Sequence, residues 1–71
     1  MFSVVQEISH GDYWSRVAGR GRTLPDAVAA AMYAGPIGYR PEDVPVWSAR
    51  VARQLEEGGT GHAGWARYSQ V

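Results

Sequence analysis

A chain of 71 residues without a cysteine has to hold itself together by packing alone. No disulfide can staple it and no cysteine-based zinc site can form, while a domain of this size leaves much of its apolar surface in water. Its resource is aromatic, with three Trp, four Tyr and one Phe, the side chains that dominate small cores. Either these residues pack densely within one domain, or self-association or a partner covers what a single copy leaves exposed.

The tryptophans carry a second pattern. Each is followed closely by an arginine, in Trp14-Ser15-Arg16, Trp47-Ser48-Ala49-Arg50 and Trp65-Ala66-Arg67. Residues two apart on a strand share a face, so Trp14 with Arg16 and Trp65 with Arg67 are each expected to lay a guanidinium beside an indole. Two readings stay open. The pairs form a contact surface, or the tryptophans are core residues whose rims are covered by arginine stems.

Residues 2–9, FSVVQEIS, are rich in β-prone residues and stop at the turn-forming His10-Gly11-Asp12, before a second such run from Tyr13 to Ala18, which predicts a β-hairpin. Alternation puts Phe2, Val4 and Ile8 on one face, with Gln6 interrupting. On the second strand Tyr13, Ser15 and Val17 oppose Trp14, Arg16 and Ala18. Gly19-Arg20-Gly21-Arg22 reads as a flexible basic connection.

The segment Thr23-Leu24-Pro25-Asp26 combines a capping hydroxyl, a first-turn proline and an acid three residues after the cap, which together predict a helix start. At 100° per residue, Leu24, Ala27, Val28, Ala31 and Met32 form one apolar stripe, and Gly35-Pro36 ends the helix near Ala34. The opposite face holds Asp26, Ala29, Ala30 and Tyr33. It is a partner or dimer surface anchored by Tyr33, or simply alanine used for its helix propensity.

Glu42 and Asp43 precede a second helix predicted from Val44 to Leu55 or Glu57. Val44, Trp47, Ser48, Val51 and Leu55 face inward, Arg50 and Arg53 face outward, and the end at Glu56 and Glu57 is expected to fray. Gly58-Gly59-Thr60-Gly61 reads as a flexible link. Trp65 to Val71 is expected as the last strand, burying Trp65 and Tyr68. The expected fold is one α+β domain over residues 1–71, of order β-β-α-α-β, a small mainly antiparallel sheet with two helices packed on one face.

Seven arginines balance seven acids, and there is no lysine. The whole-molecule field that draws a protein to nucleic acid or an anionic membrane is therefore missing. Every cation present can nevertheless make the bidentate and stacking contacts that lysine cannot. Arg16, Arg20 and Arg22 cluster just before the first helix, whose free N–H groups favour anions, so a phosphate, a nucleic acid or an acidic protein patch can be met there, as can plain solvent.

No apolar run is long enough to span a membrane and no basic, apolar leader opens the chain, so the sequence reads as a soluble cytoplasmic protein. His10 and His62 lie in glycine-flanked segments with no carboxylate at a fixed spacing, and no nucleophile, zinc or phosphate-loop motif is present. The expectation is a protein without enzymatic activity, metal or cofactor.

Residues 2–34, with F-S-V-V-Q-E-I and then G-R-G-R-T-L-P-D-A-V-A-A-A-M, resemble the first half of HicB-type antitoxins. Thr23, Leu24, Asp26 and Ala27 match that family's run into its helix. The resemblance implies a partial RNase H-like domain that neutralises a small toxin ribonuclease by binding it. The expected function is therefore a regulatory protein acting by protein contact, as an antitoxin-like inhibitor or an accessory factor of a phage or mobile element, with a homodimer as a further state. The surface residues expected to serve it are Trp14, Arg16, Arg20, Arg22, Ala30, Tyr33, Trp65 and Arg67. A second reading uses Trp14, Arg16, Trp65 and Arg67 to stack a nucleic acid beside Arg20 and Arg22. A third is a structural subunit that assembles through its own edge strands.

Overall fold

The computed structural model describes residues 1–71. Its elements are β1 (Phe2–His10), β2 (Tyr13–Gly21), α1 (Leu24–Ala34), α2 (Val44–Gly58), β3 (Thr60–Ala63) and β4 (Ala66–Gln70). The four strands form one antiparallel sheet in the order β2-β1-β4-β3. The α+β class and the helices on the sheet are as the sequence predicts, with one strand more than expected.

Alternation along β1 assigns the layers. Val4, Gln6 and Ile8 are buried and face the helices, where they meet Ala63, Ala66 and Tyr68 from the C-terminal hairpin. Against them pack Leu24, Ala27, Val28, Ala31 and Met32 of α1, the predicted stripe, and Val44, Ser48, Val51, Ala52 and Leu55 of α2. Both helices thus cover one face of the sheet. The other face, with Ser3, Val5, Glu7 and Ser9 of β1, carries no helix.

α1 begins as its sequence dictates. The Thr23 hydroxyl accepts from the Asp26 N–H at 3.2 Å, Pro25 occupies the first turn, and Gly35 closes the end by donating its N–H to Ala31 O at 3.0 Å. Removing the cap with Thr23→Ala should cost about 1 kcal/mol. Urea denaturation reads this directly, and an unchanged midpoint would deny Thr23 the capping role.

Three expectations need correction. Gly19-Arg20-Gly21 is the end of β2 and not a flexible connection. An added Cβ on Gly19 would strike the main chain of α1 at Ala27 and Ala31, and one on Gly21 would strike Ala27 and Asp26, so these glycines let a helix lie directly on the strand. The second correction concerns α2, predicted to end at Leu55 or Glu57, which runs to Gly58. There Gly59, with φ of 83°, turns the chain out and donates to Leu55 O at 2.9 Å, a left-handed stop that a Cβ would resist.

The third correction concerns the C-terminal segment. Thr60–Ala63 is a strand, tied to α2 where the Gln54 side-chain oxygen accepts from the His62 N–H at 2.8 Å. Pairing of Ala63 with Ala66 closes the hairpin through Gly64 and Trp65, with Gly64 at φ of 66°. Trp65 therefore lies in the turn and is 73 % exposed, whereas Tyr68 is fully buried as expected.

Candidate functional site

The registers bring distant residues into rows on the open face. Arg16 pairs with Glu7, Glu7 with Arg67, and Arg67 with His62, so one row crosses all four strands. Glu7 sits between two guanidinium groups, accepting a hydrogen bond from Arg67 Nη2 at 2.8 Å and lying 3.9 Å from Arg16 Nε. The Arg67 hydrogen bond is the main cause that holds the Glu7 carboxyl below the usual carboxylate range, helped by the charges of Arg67 and Arg16 against some desolvation. The contribution of this charge exists above the ordinary Glu value and disappears as pH falls through the lowered one.

In the next row Trp14 pairs with Ser9, and Trp65 follows from the turn on the other side. Two strand spacings put the indole-bearing positions about 10 Å apart with the small Ser9 between them. The result is a cleft of about 380 Å³ lined by Glu7, Ser9, Trp14, His62, Trp65 and Arg67. Its volume falls within the range of small-ligand and side-chain sites. Trp65 is steadied from one side by His10, whose ring stacks on it at 4.7 Å between centroids and 17° between planes. Trp14 is 64 % exposed.

The expected pairing of each indole with its own arginine is not what the strands make. Arg16 and Arg67 turn to Glu7, because a carboxylate on the intervening strand offers a charge-assisted hydrogen bond. The one guanidinium placed over an indole is Arg50, 5.3 Å from the Trp47 ring on α2. Trp47 is half-buried against the core, so covering by arginine describes this tryptophan and surface exposure the other two.

The remaining expected positions divide by layer. Arg20 pairs with Ser3 on the open face, at the end away from the tryptophans. Arg22 has left the sheet and lines a second groove with Phe2, Leu24, Pro25 and Glu56. Ala30 and Tyr33 lie on α1, behind the sheet, with Tyr33 64 % exposed. Five of the eight residues, Trp14, Arg16, Arg20, Trp65 and Arg67, therefore share the open face and three do not.

Residues that sequence reading did not select complete the cleft. Glu7 was visible as the polar residue alternating out of an apolar strand, but its two arginine partners appear only through register, and His62 only through the unforeseen β3. Charge is also segregated by layer. The open face holds Arg16, Arg20 and Arg67 against Glu7, an excess of positive charge, whereas Asp26, Glu42, Asp43, Glu56 and Glu57 lie with the helices and their connections beside Arg22, Arg40, Arg50 and Arg53, a slight excess of negative charge. Arg40 is engaged there by Glu42 at 3.1 Å and Asp43 at 3.9 Å.

No set of three or more side chains is arranged to hold a metal ion, and no helix is long and apolar enough to cross a membrane. Compared with known proteins, the chain matches no family model, no curated protein and no solved structure.

Proposed function

We propose that this chain is a non-enzymatic binding protein that works by seating the open face of its sheet on another protein. The observation that carries the reading is the pair of exposed tryptophans on either side of the cleft. Large indoles left in water are the side chains that most often become the buried centre of an interface. Glu7 favours a protein over a polyanion, because it already engages Arg16 and Arg67 and would oppose a phosphate placed between them. A role as an antitoxin-like inhibitor, or as an accessory factor of a phage or mobile element, is the finer form of this proposal. The HicB-like run from Thr23 to Ala27 supports it.

One observation favours a nucleic acid instead. The chain is neutral as a whole, yet its open face carries three arginines and two tryptophans against a single acid, the elements of a stacking platform.

Affinity capture from the host, with and without nuclease, separates the two readings when wild type is compared with Trp14→Ala and Trp65→Ala. A nuclease-resistant protein retained in moderate salt and lost with either substitution is the expected result, each truncation costing about 2 kcal/mol or more of binding. A catch that vanishes with nuclease and weakens steeply with salt would give the function to nucleic-acid binding.

A further inference from the structure

β2 is an edge strand of nine residues, paired on one side only and in unbroken register with β1. It has no proline and no bulge, two devices by which monomeric proteins blunt such an edge, and its only charges are Arg16 and Arg20, both on the open face. Above it lies α1, antiparallel to the strand, with Asp26 and Ala27 over Gly21 and Ala31 over Gly19. The last turn of α1, with Tyr33, therefore points along β2 toward Val17. The helix turns Ala30 and Tyr33 away from its own core, and neither is charged.

We infer that two copies of this chain join edge to edge through β2, antiparallel about Val17, to make one eight-stranded sheet with both α1 helices on the same side. The inference shares Trp14 with the cleft but does not depend on what the cleft binds. Paired residues in an antiparallel sheet share a face, so the symmetric registers that keep the helices together are those centred on a residue. Centring on Arg16 sets that arginine against itself, and centring on Ala18 sets Arg16 against Arg20, twice. Like charges directly opposite are destabilising.

Centring on Val17 removes both conflicts. Val17 meets Val17 of the second copy, each Trp14 meets an Arg20 on the open face, and each Tyr13 comes beside Gly21 on the helix side, next to the Asp26–Ala27 start of the second copy's α1. The Trp14 and Arg20 contacts are cation-π pairs, made twice by symmetry. On the helix side the Tyr33 ends of the two α1 helices approach the axis, with the small Ala30 beside them. A second copy thus covers the open edge of β2 and the Ala30–Tyr33 end of the helix together, with Trp14 and Arg20 as the complementary pair.

The absence of cysteine makes the test direct. Val17→Cys places a single thiol on the axis, where opposed Cα atoms of an antiparallel pair lie about 4.5–5.5 Å apart, inside the range a disulfide spans. Under mild oxidation this variant should cross-link almost completely to a dimer. Arg53→Cys, with its thiol on the outer face of α2, should not. Sedimentation equilibrium of wild type should give a dimer, and Ala30→Glu should raise its dissociation constant at least about tenfold, while circular dichroism shows the monomer folded. A wild type that stays monomeric overturns the inference. So does a dimer in which the Val17→Cys variant cross-links no faster than Arg53→Cys, because the copies then meet elsewhere.

Discussion

Placing one methyl group on Gly19 should cost this protein a large part of its stability. The Cβ of Gly19→Ala would stand within 2.8 Å of the Ala31 Cα and closer still to the Ala31 N and Ala27 O atoms. These are main-chain atoms of a helix and cannot swing aside as a side-chain tip can. To admit the methyl, α1 must rise from β2, and the contacts of Ala27, Ala31 and Leu24 with the sheet loosen together. Overpacking of a core costs about 1–3 kcal/mol, and a clash with backbone belongs at the upper end. That is a large part of the stability of a domain this small. Gly38→Ala is the control, since nothing lies within 4 Å of its Cβ and its φ is not positive. Thermal melts should show a fall of many degrees for Gly19→Ala and almost none for Gly38→Ala. Equal melts would mean that α1 does not rest on the strand as described.

The second large effect should come from the polar chain inside the core. Gln6 Nε2 donates to the Tyr68 hydroxyl at 2.8 Å, the two tyrosine hydroxyls lie 2.9 Å apart, and Tyr39 donates to Ala63 O at 2.7 Å. Since Tyr39 uses its one proton on Ala63, Tyr68 donates to Tyr39, and the three groups form a single directed line. The Oε1 of Gln6 is buried without a hydrogen-bond partner and packs where a side chain at Gly35 would otherwise stand. Tyr68→Phe removes the sole acceptor of the Gln6 amide and leaves that whole group unsatisfied, which should cost roughly 2–3 kcal/mol. Adding Gln6→Met to that variant should return much of the loss, because two apolar groups make no demand on each other. A double variant as unstable as the sum of the singles would deny the coupling.

The same chain sets an alkaline limit. Burial, with the hydrogen bond to Tyr39 second, raises the Tyr68 hydroxyl far above the ordinary tyrosine value, and burial raises Tyr39 less. For a group whose folded pKa is raised, the unfolded chain loses its proton first. The contribution is complete below about pH 10 and drains away as pH climbs beyond it. Unfolding should set in above that point in wild type and shift when Tyr68 is replaced by Phe.

What could be read in advance was whatever rests on local chemistry. α1 was legible because cap, proline, apolar period and Gly-Pro stop agree over a dozen residues. β3 was not, because Thr60-Gly61-His62-Ala63 has little strand preference of its own and exists through β4 on one side and Gln54 on the other. Trp65 misled for the opposite reason. Its strand preference is real, but two-residue closure between Ala63 and Ala66 left it in the turn. Gly19 and Gly21 read as freedom where they supply closeness, a distinction that only the overlying helix makes. At the cleft, Trp14 and Arg16 were legible from alternation. The meeting of Glu7 with Arg67, sixty positions away, required the register of β1 with β4.

The separation of charge between the layers acts before any contact is made. With no net charge, the molecule feels little pull from a distant charged surface. An excess of arginine on the open face and a slight excess of acid on the helix side still give it a modest dipole, and a dipole in a field feels a torque. It should arrive at an acidic surface already turned, tryptophans leading, and at a basic one turned the other way. Salt would then degrade how often encounters are productive more than how often they occur, and only within about 10 Å of contact at 0.1 M.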